Sequence, residues 1–71
     1  MEERQVKING LHSKEDVDKV EQALKDVWGV RRTEVSLERQ EAKFSYNENS
    51  ASYEDFVQAL KENGYTVSEY H

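Results

Sequence analysis

One local pattern is written twice along this 71-residue chain, and the repetition restricts the folds open to it. Each half runs from strand-like alternation through a Ser-x-x-Asp tetrad into a helical apolar stripe, then a glycine, then alternation again. In the first half, Gln5-Val6-Lys7-Ile8-Asn9 alternates polar and apolar, as a half-buried strand does. Ser13 offers a helix-starting hydroxyl, with Asp16 three residues on, the spacing of a capping box. Val17, Val20, Leu24, Val27 and Trp28 fall in one stripe about 100° wide at helical spacing. Glu15 with Lys19 and Glu21 with Lys25 are favourable i,i+4 pairs on the wet side. Gly29 is placed to end this helix.

Between residues 30 and 37 the period returns to two, with Thr33, Val35 and Leu37 on one face. Glu38-Arg39-Gln40-Glu41 reads as a polar turn without the Asn-Gly signature of a tight hairpin. Ala42, Phe44 and Tyr46 mark the inner face of a third strand, and residues 47–51 a loop. Ser52 and Asp55 then repeat the capping pattern, and Phe56, Val57 and Leu60 form a second apolar stripe. Asn63-Gly64 ends that helix, and Tyr65 and Val67 open a fourth strand running out through Ser68-Glu69-Tyr70-His71. Two strand-helix-strand units in one short chain give βαββαβ, the ferredoxin-like α+β arrangement. Right-handed crossovers place both helices on one face of a four-stranded antiparallel sheet. The other face, carrying Gln5, Lys7, Asn9, Lys43 and Ser45, is left to water. Residues 1–71 are expected to form a single domain, with no linker and no low-complexity tract.

Fifteen Asp and Glu stand against ten Lys and Arg, a net charge of −5. That disfavours nucleic acid, which needs a positive face to displace phosphate counterions. An RNA-binding module of this topology would also stack bases on aromatic residues of the open sheet face, and none is expected there. No cysteine is present, so packing rather than disulfides holds the chain together. No apolar run approaches the ~18–20 residues of a membrane span, and Met1-Glu2-Glu3-Arg4 begins no signal peptide. The expectation is a soluble, cytoplasmic monomer. Acylphosphatases share the topology but need an arginine in the loop after the first strand, where this chain has only Lys14. Nothing pairs a nucleophile with a base, so no enzyme activity is expected.

The junction Gly10-Leu11-His12-Ser13-Lys14-Glu15-Asp16 leads into Val20-x-x-Ala23-Leu24 and Val27-x-Gly29-Val30. Val35-x-Leu37-Glu38, Ala42-x-Phe44-x-Tyr46-Asn47, Ala59-Leu60 and Gly64-Tyr65-x-Val67 follow in order. This succession resembles the heavy-metal-associated domain of copper chaperones and of the N-terminal tails of copper-transporting P-type ATPases. The family carries Gly-Met-x-Cys-x-x-Cys at the first junction, and its two thiolates hold a soft metal. Here Leu11 stands at the methionine position, a conservative filler of core space, while Ser13 and Asp16 stand at the cysteine positions.

Cu(I) is soft and favours sulfur; a serine hydroxyl is a poor ligand, and one carboxylate prefers harder ions. The soft-metal site is therefore read as lost, with no cofactor expected. What remains is a binding or interaction module derived from a metal-carrier family, its expected partner another protein of a metal-transport system. The alternative is weak binding or carriage of a divalent metal ion through His12 and Asp16, since imidazole suits Zn(II), Cu(II) or Ni(II). The candidate site is thus His12, Ser13 and Asp16, with Leu11 and Tyr65 beside it. Bacterial members of the family commonly carry a tyrosine at the position of Tyr65, next to the metal loop. Ser13 and Asp16 also have a purely structural reading, in which the Ser13 hydroxyl accepts from the Asp16 amide and the carboxylate faces the positive end of the helix. Trp28 and Tyr53, at stripe edges, are expected to pack into the core rather than to anchor a partner. Arg31-Arg32 reads as a solvated basic spot, and His71 as no part of a site.

Overall fold

The two readings of period two and period 3.6 separate cleanly in space. In the computed structural model, which describes residues 1–69, the order is β1 (Glu2–Asn9), α1 (Lys14–Lys25), β2 (Val30–Ser36), β3 (Glu41–Tyr46), α2 (Tyr53–Glu62) and β4 (Thr66–Glu69). The expectations for Tyr70 and His71 lie outside the described residues. The four strands form one sheet in the order β2-β3-β1-β4, every pair antiparallel. This is the expected ferredoxin-like arrangement.

Alternation drives the layering. Val6 and Ile8 of β1 point inward and are fully buried, while Gln5, Lys7 and Asn9 between them are exposed. Register brings Val6 opposite Ala42 and Ile8 opposite Val67, so the inward residues of three strands share one face. The stripes of the two helices close over it with Val20, Ala23, Leu24, Phe56 and Leu60 in a single cluster. Phe44 stacks on Phe56 at 4.4 Å, and Tyr46 meets the same ring at 4.9 Å. Tyr53 packs on this core from its edge, stacked on Phe44 at 6.4 Å with the Arg4 guanidinium 4.7 Å above its ring. No helix among the described residues is long and apolar enough to cross a membrane.

Several expectations at element ends are corrected. The first helix stops at Lys25, where the Asp26 amide donates to Gln22 O and the chain turns. Trp28 therefore leaves the helical period and is 82% exposed, not core. Leu37 also falls outside its strand: Gln40 N donates to Leu37 O, and the tighter reversal leaves Leu37 37% exposed. Val57 is only half-buried, and Ala59 takes its place against the core. Ser45, read as outward and wet, is buried because β3 lies between β1 and β2 and the neighbouring Glu3 and Arg32 chains flank it. Of the two expected ion pairs on α1, Glu21 with Lys25 forms at 3.7 Å, while Glu15 and Lys19 do not meet.

Candidate functional site

The loop joining β1 to α1 is shaped by one glycine and one plug. Gly10 takes φ +105, which an L side chain rarely adopts, and a Cβ there would sit 3.4 Å from the Tyr65 ring. Leu11 turns inward and is 1% exposed, anchoring the loop to the core. Its carbonyl accepts from the Gln40 side-chain amide, and Gln40 O accepts from Ile8 N at 2.8 Å. The β2–β3 turn is thus fastened under the loop, with Gln40 itself at φ +55. Residue spacing alone does not point to this tether. Gln40 lay in an unremarkable polar turn, and only a positive φ would have singled it out.

His12 and Ser13 follow on the exposed surface, and Asp16 lies half-buried behind them at the third position of α1. Asp16 is where the loop converges. Tyr65, just before β4 and 49 residues away, donates its hydroxyl to Asp16 Oδ1 at 2.7 Å. The backbone N–H of His12 donates to Asp16 Oδ2 at 2.9 Å, and the Ser13 hydroxyl approaches the same oxygen at 3.5 Å. These donors hold the Asp16 carboxyl below its usual value of 3.8, the Tyr65 phenol first and the His12 amide next. Burial, then the Asp16 hydrogen bond and charge, push the Tyr65 phenol up to about 12.

The cap is therefore built differently from expectation. Ser13 sits at the N-cap with extended backbone, but its hydroxyl accepts nothing from the helix. It leans toward the carboxylate as a donor, because Asp16 already draws its donors from the loop. The Asp16 and Val17 amides are satisfied instead by the Ser13 carbonyl, at 3.1 and 3.2 Å. In the second half, Asp55 Oδ2 accepts from the Ser52 amide at 2.9 Å, so the repeated tetrad gives two related but unequal helix starts.

The structure thus gathers Leu11, His12, Ser13, Asp16 and Tyr65 into one neighbourhood. Among the described residues, the His12 imidazole is the candidate donor that no hydrogen bond engages. Both Asp16 oxygens are engaged within the fold. Among the described residues no group of three or more His, Cys, Asp or Glu side chains is placed to hold a metal ion. The donor set, an imidazole, a phenol, a hydroxyl and a committed carboxylate, contains no sulfur and does not fit a soft metal.

The heavy-metal-associated domain model matches residues 5–66. A copper chaperone CopZ of Staphylococcus epidermidis is 30% identical over 67 residues, covering 94% of this chain and 98% of that protein. A copper chaperone CopZ of Staphylococcus haemolyticus is 31% identical over 62 residues, covering 87% of this chain and 91% of that one. Among solved structures, a copper-binding domain from HMA7, a P-type ATPase, superposes with a TM-score of 0.94 at 25% identity, covering 100% of this chain and 96% of that chain.

Proposed function

This chain belongs to the heavy-metal-associated domain family, and we propose that it acts as an interaction module in which hydrogen bonds have replaced the family's soft-metal site. The observation that carries the reading is the Asp16 carboxylate, which holds Tyr65 through one oxygen and the His12 amide through the other. At the two positions where the family presents thiolates, this chain offers a hydroxyl and a carboxylate already used for folding. The loop is ordered by its own side chains, so no ion is needed to shape it. On this reading the domain neither catalyses nor ferries Cu(I). It presents its surface, as a cytoplasmic monomer, to another protein of a metal-transport system, and nucleic acid is no partner of a chain with net charge −5.

The second reading, a divalent ion held weakly by His12 and Asp16, draws on the exposed, unbonded His12 imidazole. Such an ion would compete with Tyr65 and the His12 amide for the Asp16 oxygens, and among the described residues it would find no third His, Cys, Asp or Glu ligand.

Thermal unfolding separates the two. A ligand that binds the native state alone raises stability by about 2.7 kcal/mol at a hundredfold excess over its Kd. The midpoint is expected to be the same with a strong chelator, with Zn(II), with Cu(II), and with Cu(I) under reducing conditions. An upward shift with Zn(II) or Cu(II) that disappears in His12→Ala would instead establish the divalent-ion reading.

A further inference from the structure

The most exposed large apolar side chains of this molecule, Trp28 at 82% and Met1 at 78%, flank a pair of arginines. Trp28 lines a groove of about 360 Å³ with Val27, Val30, Arg31, Asn47 and Ser50. Met1 lines a second groove of about 510 Å³ with Glu3, Arg32 and Ser45, and Arg31 belongs to both. The patch lies at the α1–β2 turn, away from the loop that carries Asp16.

Trp28 is held out on a fixed platform. Asn47 N donates to Gly29 O at 3.0 Å, and Val30 N donates to Val27 O at 3.3 Å. A Cβ on Gly29 would meet Ser50 Cβ at 2.8 Å, so the turn is pressed against the 47–51 loop. An indole displayed this way exposes apolar surface that the fold leaves uncovered, as partner anchors do.

The local charges say what kind of partner fits. Nearby ions are mostly matched within the chain: Lys25 with Glu21 at 3.7 Å, Lys43 with Glu3 at 3.7 Å, and the Met1 amine with Glu48 at 3.4 Å. Asp26, with Lys25 on the rim of the Trp28 groove, accepts from the neutral Gln22 side chain at 2.9 Å and keeps its charge, so the positive end of the patch lies at the arginines. Arg31 and Arg32 are exposed and have no carboxylate partner among the described residues. They are thus unmatched cations on a chain whose net charge is −5. Their strand, β2, has a neighbour on one side only, so backbone donors and acceptors stand open beside them.

The geometry points to the Trp28–Arg31–Arg32 patch as the docking site for an extended acidic segment of a partner protein, its carboxylates on the arginines and an apolar side chain against Trp28. A second copy of this chain is a poor occupant, because a two-fold contact through the patch sets the arginine pairs against each other. The inference rests on the interaction-module reading but concerns a different end of the molecule from the lost metal site.

Trp28 is the chain's one tryptophan, so its own emission reports occupancy. The full chain is titrated with a short peptide alternating glutamate and leucine, and with the same peptide carrying lysine for glutamate. The acidic peptide is expected to shift the emission to the blue and to saturate. Arg31→Glu with Arg32→Glu is expected to weaken its binding by about tenfold or more, while the unfolding midpoint stays near that of the parent. High salt is expected to weaken it too, and the basic peptide is expected to leave the emission unmoved. Three results would each overturn the proposal: an emission indifferent to both peptides, equal binding by parent and double variant, or a blue shift with protein concentration alone, which would make the occupant a second copy. Each reads on Trp28, whereas failure of the interaction-module reading would appear as stabilisation by metal.

Discussion

At Asp16, a single carboxylate collects three donors with which a metal ion would have to compete. The linkage signs follow from the two shifts. Tyr65 is raised above its usual value of 10.0, so its contribution is complete below that pH and is lost as the pH climbs toward about 12. Asp16 is lowered, so its contribution is complete above 3.8 and fades as the pH falls below that value. Tyr65→Phe keeps the ring and removes the hydroxyl, and should cost about 1.5 kcal/mol, the low end for a hydrogen bond to a charged group. Denaturant titrations across pH should show that loss at neutrality and see it shrink at both extremes. Ser13→Ala should stay within about 0.5 kcal/mol, as for a surface site without a special role. A larger loss than that of Tyr65→Phe would return the cap to Ser13. That Ser13 and Asp16 start a helix was legible from their spacing. That Asp16 would draw Tyr65 from 49 residues away was not, because local spacing carries no long-range contact.

Elements were legible where their period was long enough to be unambiguous. The inward set Val6, Ile8, Ala42, Phe44 and Tyr46 and the stripe of Val20 and Leu24 lie where alternation and helical spacing put them. Ends were not, since a stripe does not say where backbone hydrogen bonds stop: Trp28 continues the period of α1 on paper, while Asp26 has already closed the helix. Glycine marks these ends with unequal stakes. Gly29 takes φ +96 and faces Ser50 at 2.8 Å, whereas Gly64 takes φ +89 with nothing within 4 Å of the added atom. Gly64→Ala should cost about 1–3 kcal/mol through backbone strain alone. Gly29→Ala adds a steric clash and should cost more in paired thermal or denaturant unfolding. Equal losses would mean that the 47–51 loop gives way freely, and that Trp28 does not stand on a fixed platform.

On the scale of the whole molecule, a cysteine-free chain of 71 residues is held by one core that takes in both helices and all four strands. That core reaches the Asp16 loop through Leu11 and the Tyr65 ring, while His12 and Ser13 stay outside it, so the fold can keep its family's shape while the ligands change. Gly10 and Leu11 of the loop, with Tyr65 from beside β4, still surround the first turn of α1. There two cysteines would lie close together, with the helix dipole favouring thiolate. The most direct measurement is competition against a Cu(I)-specific chelator under reducing conditions, run on the parent chain and on the double variant Ser13→Cys with Asp16→Cys. The parent should leave all Cu(I) with the chelator, and the double variant should withdraw it. A folded double variant that withdraws none would show that the loop has changed shape along with its ligands, and tight Cu(I) binding by the parent would contradict the replacement of the metal site outright.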